Sequence, residues 1–371
     1  MNQKNNVGTH ETNLDFIRAL AVLMVVGSHL ALFFGNLHIG FLQPSLFGKL
    51  GVVIFFVHSG IVNMFSIERH VQNHGEYRIF RAFMIRRCFR IYPLSIFVVL
   101  VIFFTKLPVS HIDNFVTTIG QHANAELVPS LLLVQNFVRF DQILEPLWSL
   151  PYEVQIYCLF PMIYLILRRF SSTRVLLFAW AILAAVDQLI TPRLAKHGYI
   201  GSSVVIPDLL FYFLLFLAGL CAYKEMQTSR RVLHFWLLPA LLAFMCVTWL
   251  LSYDNIKCIF ISLSLGLALP HIQNCEISAL KRICGWVAKY SYGIYLLHDP
   301  AIWLGFVRLG NLPIVVRVGT FLLATFGGSV LIYHALEHPL ILTGNKAAAA
   351  ISRKRIPANV QTSAAIAGVR S

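Results

Sequence analysis

A chain of 371 residues that is 57% hydrophobic and only 12% charged lies well outside soluble domains, in which about a quarter of residues are charged. Together with a mean hydropathy of +0.71, this describes an all-α, polytopic membrane protein. The net charge of +14 does not point to nucleic acid, because the cations sit in short patches between apolar segments, where Lys and Arg set topology.

Taken in chain order, apolar segments predict about ten transmembrane helices, near 14–34, 48–66, 91–106, 146–168, 174–191, 204–223, 233–252, 256–271, 286–308 and 314–336. The third and eighth are short. The first carries Asp15 and Arg18 in its opening turns and no small-x-small cleavage site follows, so it reads as an uncleaved span rather than a signal peptide. Between the third and fourth, Leu127 to Phe137 is apolar but too short to span and reads as an interfacial or re-entrant piece. Residues 1–13 read as an N-terminal tail, 14–340 as the membrane domain, and 341–371, rich in Ala, Ser and Lys/Arg, as a disordered basic tail. No internal repeat is visible. With the N-terminus in the cytoplasm, 22 of the 30 Lys and Arg fall on the inner side, which supports an even number of spans with both termini cytoplasmic in a plasma (bacterial inner) membrane.

The seven cysteines are scattered, with no C-x-x-C pair. They read as small apolar fillers rather than a disulfide framework or a zinc site, and no metal site is expected.

Four groups of residues carry chemistry. Arg18 and His29 are eleven residues apart in the first span, so they share a helix face about 16 Å apart. A buried imidazole in the outer half suits proton transfer; a snorkelling Arg and a His satisfied by a neighbouring helix is the bland alternative. Next come Arg78, Arg81, Arg86, Arg87 and Arg90, followed by Ile91-Tyr92-Pro93. Arg86 and Arg90 are i, i+4 and share a face, which suits bidentate binding of an anion, although a topology signal would also explain the cluster. Pro93 fits the first turn of the third span. In the fourth span Ser149, Glu153 and Tyr157 recur at i, i+4, i+8, with Glu153 expected in the same outer half as His29 and as its orienting partner. In the ninth, Ser291, Tyr295 and His298 form an i, i+4, i+7 stripe ahead of Pro300. Tyr157, Ser291, Tyr295 and His298 are candidate oxyanion or acceptor contacts. Glu337-His338-Pro339 reads as a cap or ion pair at the end of the last span.

In order along the chain, these segments resemble the motifs of the acyltransferase-3 family of integral membrane acyltransferases. Arg18 and His29 match its R-x10-H. Gly51-Val52-Val53-Ile54-Phe55-Phe56-Val57-His58-Ser59-Gly60 resembles G-V-x-x-F-F-x-x-S-G, and Arg87-Cys88-Phe89-Arg90-Ile91-Tyr92-Pro93 resembles R-x-x-R-I-x-P. Trp148-Ser149-Leu150 with Glu153 resembles W-S-L-x-x-E. Ser291 to His298 resembles S-Y-x-x-Y-L-x-H, and Glu337-His338-Pro339 resembles the closing E-x-P. His58, Pro151 and Tyr152 depart from the usual pattern. Some relatives carry an extra C-terminal SGNH esterase-like domain, which is not expected in this chain.

The resemblance implies transfer of an acyl group, usually acetyl from acetyl-CoA as co-substrate with no bound cofactor, to a hydroxyl of a carbohydrate or lipid-linked glycan such as O-antigen or exopolysaccharide. It implies His29 as catalytic base with Glu153 beside it, and Arg18, Arg86, Arg87 and Arg90 as binders of the CoA donor. The competing reading is a transporter or flippase with an intramembrane His/Glu proton relay, against which the lack of internal symmetry counts.

Overall fold

The computed structural model describes residues 11–35, 47–107, 124–138, 143–169, 172–196, 205–251 and 255–352. They form helices throughout: α1 (Thr12–Phe33), α2 (Phe47–His74), α3 (Ile79–Thr105), α4 (Asn124–Leu132), α5 (Gln135–Val138), α6 (Leu150–Tyr157), α7 (Phe160–Arg169), α8 (Thr173–Lys196), α9 (Val205–Met226), α10 (Leu237–Leu251), α11 (Asn255–Ala268) and α12 (Ser278–Ile302). The last, α13 (Ile314–Ser352), is continuous over 39 residues through π-helical turns at Leu323–Gly327 and Tyr333–Glu337. Helices satisfy their own backbone groups, as a hydrocarbon solvent demands.

Six of these helices are long and apolar enough to cross a membrane, or seven if the pair α6–α7, bent by 46°, is one broken span. α10 and α11 are apolar but shorter. The described parts of the ten segments expected from hydropathy are mainly helical, and six or seven spans meet the length and hydropathy of a membrane crossing. Large apolar side chains stand on the outer surface, including Phe104, Phe178, Val315 and Leu323. A surface this apolar suits lipid rather than water.

Burial separates centre from periphery. The apolar stretch of α2 is 83% buried, against 17% for α8 and for α13. α2 is therefore the axis on which the others assemble. Two glycines allow this. A side chain at Gly51 would meet the Ala21 carbonyl of α1 at 2.6 Å, and one at Gly60 would meet the Phe216 carbonyl of α9 at the same distance. Gly219 of α9 faces Gly60 in turn, the small-residue contact that lets membrane helices approach closely.

Several boundaries differ from the sequence reading. The third span begins at Ile79, not near 91, so Arg81, Arg86, Arg87 and Arg90 lie on the helix itself, Arg78 is its N-cap, and Pro93 sits inside it rather than in its first turn. Hydroxyls bond the carbonyls around the proline: Ser95 donates to Ile91 and Tyr92, and Tyr292 donates to Ile91 at 2.7 Å. Residues 341–352, expected as disordered tail, continue α13, with Gly344 close against Phe89 of α3. Glu337 is buried within that helix, so Glu337-His338-Pro339 caps nothing. Residues 12–13 belong to α1, and Asn13 bonds the 272–275 backbone through both ends of its amide. Leu127 to Phe137 lies in the short helices α4 and α5.

Candidate active site

Along the axis of the bundle run two cavities and a neck between them. The first, about 220 Å³, is lined by Arg18, Arg69, Arg87, Arg90, His58 and Ser59 with Glu153, Tyr157 and Tyr292. The second, about 390 Å³, is lined by His29, Ser28, Lys49, Glu145, Trp148, Tyr212 and Tyr295. The neck, about 40 Å³, is walled by Ala21, Val22, Val25, Gly51, Val52 and Leu150. It shares Arg18, Phe55, Glu153 and Tyr292 with the first cavity and Val25, Val52 and Tyr295 with the second. Arg18 and His29, about 16 Å apart by helical rise, thus mark the two ends of a row of three cavities that share walls, with guanidinium groups at one end and an imidazole at the other.

At the imidazole end, His29 Nδ1 lies 3.0 Å from Asp299 Oδ1 and 2.9 Å from His298 Nε2. His298 is fully buried and its Nδ1 is 3.2 Å from the Ile294 carbonyl. A carbonyl only accepts, so His298 Nδ1 carries the proton and its Nε2 is an acceptor. With both rings neutral, the single His29 Nδ1–H is then shared between His298 Nε2 and Asp299 Oδ1, which are themselves 3.5 Å apart. That tautomer leaves a lone pair on His29 Nε2, the state required of a general base. One ligand atom from each of His29, His298 and Asp299 lies within 4.8 Å of the others, so the group could also hold a metal ion.

This corrects the sequence reading in three respects. The carboxylate that orients His29 is Asp299, one residue past the stripe read on α12, and not Glu153. Glu153 is buried at the neck and the arginine cavity, where Ser59 Oγ donates to it at 3.1 Å and Tyr157 donates to it as well. His298 stands behind His29 with both ring nitrogens engaged, so it is not an oxyanion donor. Tyr157 is at the far end from His29, and the Tyr295 hydroxyl donates to the Pro146 carbonyl while meeting Ser149 Oγ at 2.8 Å. Tyr157 lines the first cavity and Tyr295 the neck and the second cavity.

At the arginine end, Arg18 Nε donates to Ser291 Oγ at 2.7 Å, which ties α1 to α12 at the mouth of the neck. The Arg87 guanidinium lies 5.2 Å from the Phe83 ring and 5.6 Å from that of Tyr157, a contact that fixes its plane. Arg87 and Arg90 line the cavity together. Arg86 does not: its Nη1 donates to His70 Nδ1 at 3.2 Å. The i, i+3 pair is the one that faces inward, not the i, i+4 pair. Buried His58 adds a ring nitrogen, Nδ1, with no partner among the described residues. Arg69, His58, Ser59, Lys49 and Asp299 escaped the sequence reading. Ser59 and His58 stood in the quoted glycine motif, and Asp299 directly follows His298.

With this geometry in hand, comparison with known proteins is decisive. Residues 11–334 match the acyltransferase-3 family, described as an acyltransferase domain. The chain belongs to that family. It is similar to "Putative peptidoglycan O-acetyltransferase YrhL" of Bacillus subtilis (strain 168), 27% identical over 369 residues, covering 89% of this chain and 55% of the relative. It is also similar to "Acyltransferase MdmB" of Streptomyces mycarofaciens, 31% identical over 186 residues, covering 47% and 44%. The chain spans about half the length of the curated relatives it matches. No solved structure matches it.

Proposed function

We propose that this family member moves an acyl group, acetyl in the first instance, from acyl-CoA at the arginine end to a hydroxyl of a carbohydrate at the His29 end. The observation that supports this most is the row of cavities itself, which runs from a polycationic cavity to an oriented imidazole by way of an apolar neck. Phosphates of the donor suit Arg18, Arg69, Arg87 and Arg90, since guanidinium forks match phosphate oxygens. The neck suits a thin, largely uncharged arm carrying the thioester, and excludes the charged nucleotide end.

At the second cavity His29 Nε2 takes the proton of the acceptor hydroxyl as its oxygen attacks the thioester carbonyl. The carbon–sulfur bond breaks, the thiolate leaves, and the imidazolium returns the proton to sulfur. Asp299 and His298 hold the Nδ1 proton in place throughout, and the carboxylate stabilises the imidazolium. Trp148 and Tyr212, 5.7 Å apart, give the cavity an aromatic wall on which the C–H face of a sugar ring can pack. With the charge bias inward, the arginine end meets cytoplasmic CoA and the His29 end opens toward the far side, where surface or exported glycans are exposed. That orientation implies that residue 75 and the C-terminus lie inside and residue 40 outside.

The decisive measurement compares O-acyl content of surface glycans, by mass spectrometry, in cells with and without the gene, alongside transfer of labelled acetyl from acetyl-CoA by the purified protein. Loss of one O-acyl substitution without the gene, together with label transfer, is the expected result. Unchanged glycans and no label transfer would overturn the reading in favour of a different acceptor or donor class.

A further inference from the structure

Beside the arginine cavity, at the end of α2 and the facing stretch of α3, lies a second cluster of nitrogen donors. His70 and His74 are one turn apart and their rings stack at 5.0 Å with an interplanar angle of 17°. Arg86 Nη1 donates to His70 Nδ1 at 3.2 Å. A guanidinium has no acceptor, so His70 Nδ1 accepts and the His70 proton is on Nε2. The His70 Nε2–H has the Tyr77 backbone as partner, whereas a second nitrogen of Arg86 (Nη2) and Arg87 Nε, both guanidinium donors, and the His74 Nδ1 ring nitrogen are buried and have no partner among the described residues. Buried donors are normally satisfied, and leaving several unsatisfied together is costly. Their common need is a ligand made of acceptors: an anion.

The cluster adjoins the first cavity through the chain itself. Arg86 precedes Arg87, and His70 follows Arg69; both neighbours line that cavity. Two anion sites side by side fit a ligand with two separate phosphate groups. Acyl-CoA has these, a pyrophosphate and a 3′-phosphate monoester on the ribose, whereas a phosphopantetheine arm on a carrier protein has a single phosphodiester.

We propose that His70, His74 and Arg86 bind the 3′-phosphate of the CoA donor while Arg18, Arg69, Arg87 and Arg90 hold its pyrophosphate, so that this cluster selects free acyl-CoA over carrier-bound acyl groups. The proposal rests on the donor reading above. It gives Arg86 a task outside the cavity and gives one to two histidines that no motif singled out. Phosphatidic acid presents a phosphomonoester of the same kind, and the test separates the two.

The full chain in phosphatidylcholine nanodiscs is titrated with CoA and with 3′-dephospho-CoA by calorimetry. Wild type should prefer CoA by about tenfold or more, the loss expected when a charge-assisted set of hydrogen bonds is removed. Arg86→Ala and His70→Asn should each bring that ratio toward one while leaving dephospho-CoA affinity in place, and Arg86→Lys should recover part of it. Equal binding of both probes by wild type would overturn the 3′-phosphate site while leaving the donor reading intact, and needs no variant to fold. Binding of neither probe would refute the donor reading. A CoA preference seen in phosphatidylcholine but abolished by phosphatidic acid at constant ionic strength would assign the cluster to a lipid phosphomonoester and overturn the proposal.

Discussion

The two ends of the row of cavities are walled by the same helices, α1, α2 and α12 among them, yet they are held in place by different means. At the arginine end, the charged groups are numerous and each is braced separately: Arg18 by Ser291, Arg87 by aromatic rings, Arg86 by His70. At the His29 end, three side chains form one hydrogen-bonded unit in which each fixes the proton of the next. Binding of a polyanion draws on summed contributions, so the loss of one guanidinium is graded. Proton transfer depends on a single lone pair, so the loss of one member is severe. The comparison predicts large effects on turnover at one end and moderate effects on donor affinity at the other.

The largest effect is expected from His29→Ala. Transfer should fall about 10²- to 10⁴-fold, the range for loss of a proton-transfer group, while calorimetric CoA affinity stays at the wild-type value. Turnover near wild type would end the assignment of His29 as base.

Asp299→Asn should lower turnover by about 10²-fold or more, because an amide can donate to His29 Nδ1 and so favour the unproductive tautomer. Steady-state kinetics should place the loss in kcat rather than in donor KM. An equal loss from Glu153→Gln, with none from Asp299→Asn, would restore Glu153 as the partner of His29.

Narrowing the neck tests whether the two ends communicate. Val25→Phe, at the junction of neck and second cavity, should cut label transfer by about tenfold or more with CoA binding retained. Overpacking of this kind costs about 1–3 kcal/mol of stability, so thermal unfolding in the same nanodiscs is measured alongside. Undiminished transfer in a folded variant would mean the thioester reaches His29 by another route.

Arg90→Ala should weaken CoA binding by about tenfold, in line with loss of one charge-assisted contact, with kcat at saturating donor little changed. Arg90→Lys should recover only part, since Lys lacks the planar fork. The smallest effect belongs to Glu153→Gln, which keeps an acceptor for Ser59 and Tyr157. A few-fold rise in donor KM is expected there, and an effect confined to kcat would place Glu153 functionally at the wrong end.

Composition alone settled that the chain lives in a membrane and is helical, because in hydrocarbon there are few other ways to satisfy a backbone. Helical periodicity likewise placed Arg18 and His29 on one stripe, since their spacing is local. The ordered motifs of α1, α2, α3, α6 and α12 led to the right family. What lay beyond the sequence was every pairing between helices. Glu153 and Asp299 are both carboxylates near the middle or end of a helix, and nothing local says which one meets His29; the packing of α12 against α1 does. Arg86 and Arg87 are neighbours in sequence, and helix periodicity puts them about 100° apart, but only the position of α2 decides which points to the cavity and which to His70. The start of α3 and the end of α13 were misread for a related reason: hydropathy marks where lipid ends, whereas hydrogen bonding carries each helix several turns further. Periodicity and polarity are properties of a single helix and can be read along the chain. Which side chains share a cavity depends on how far apart the helix axes stand and how each is rotated, and those are set by contacts such as Gly51 on Ala21 and Gly60 on Phe216.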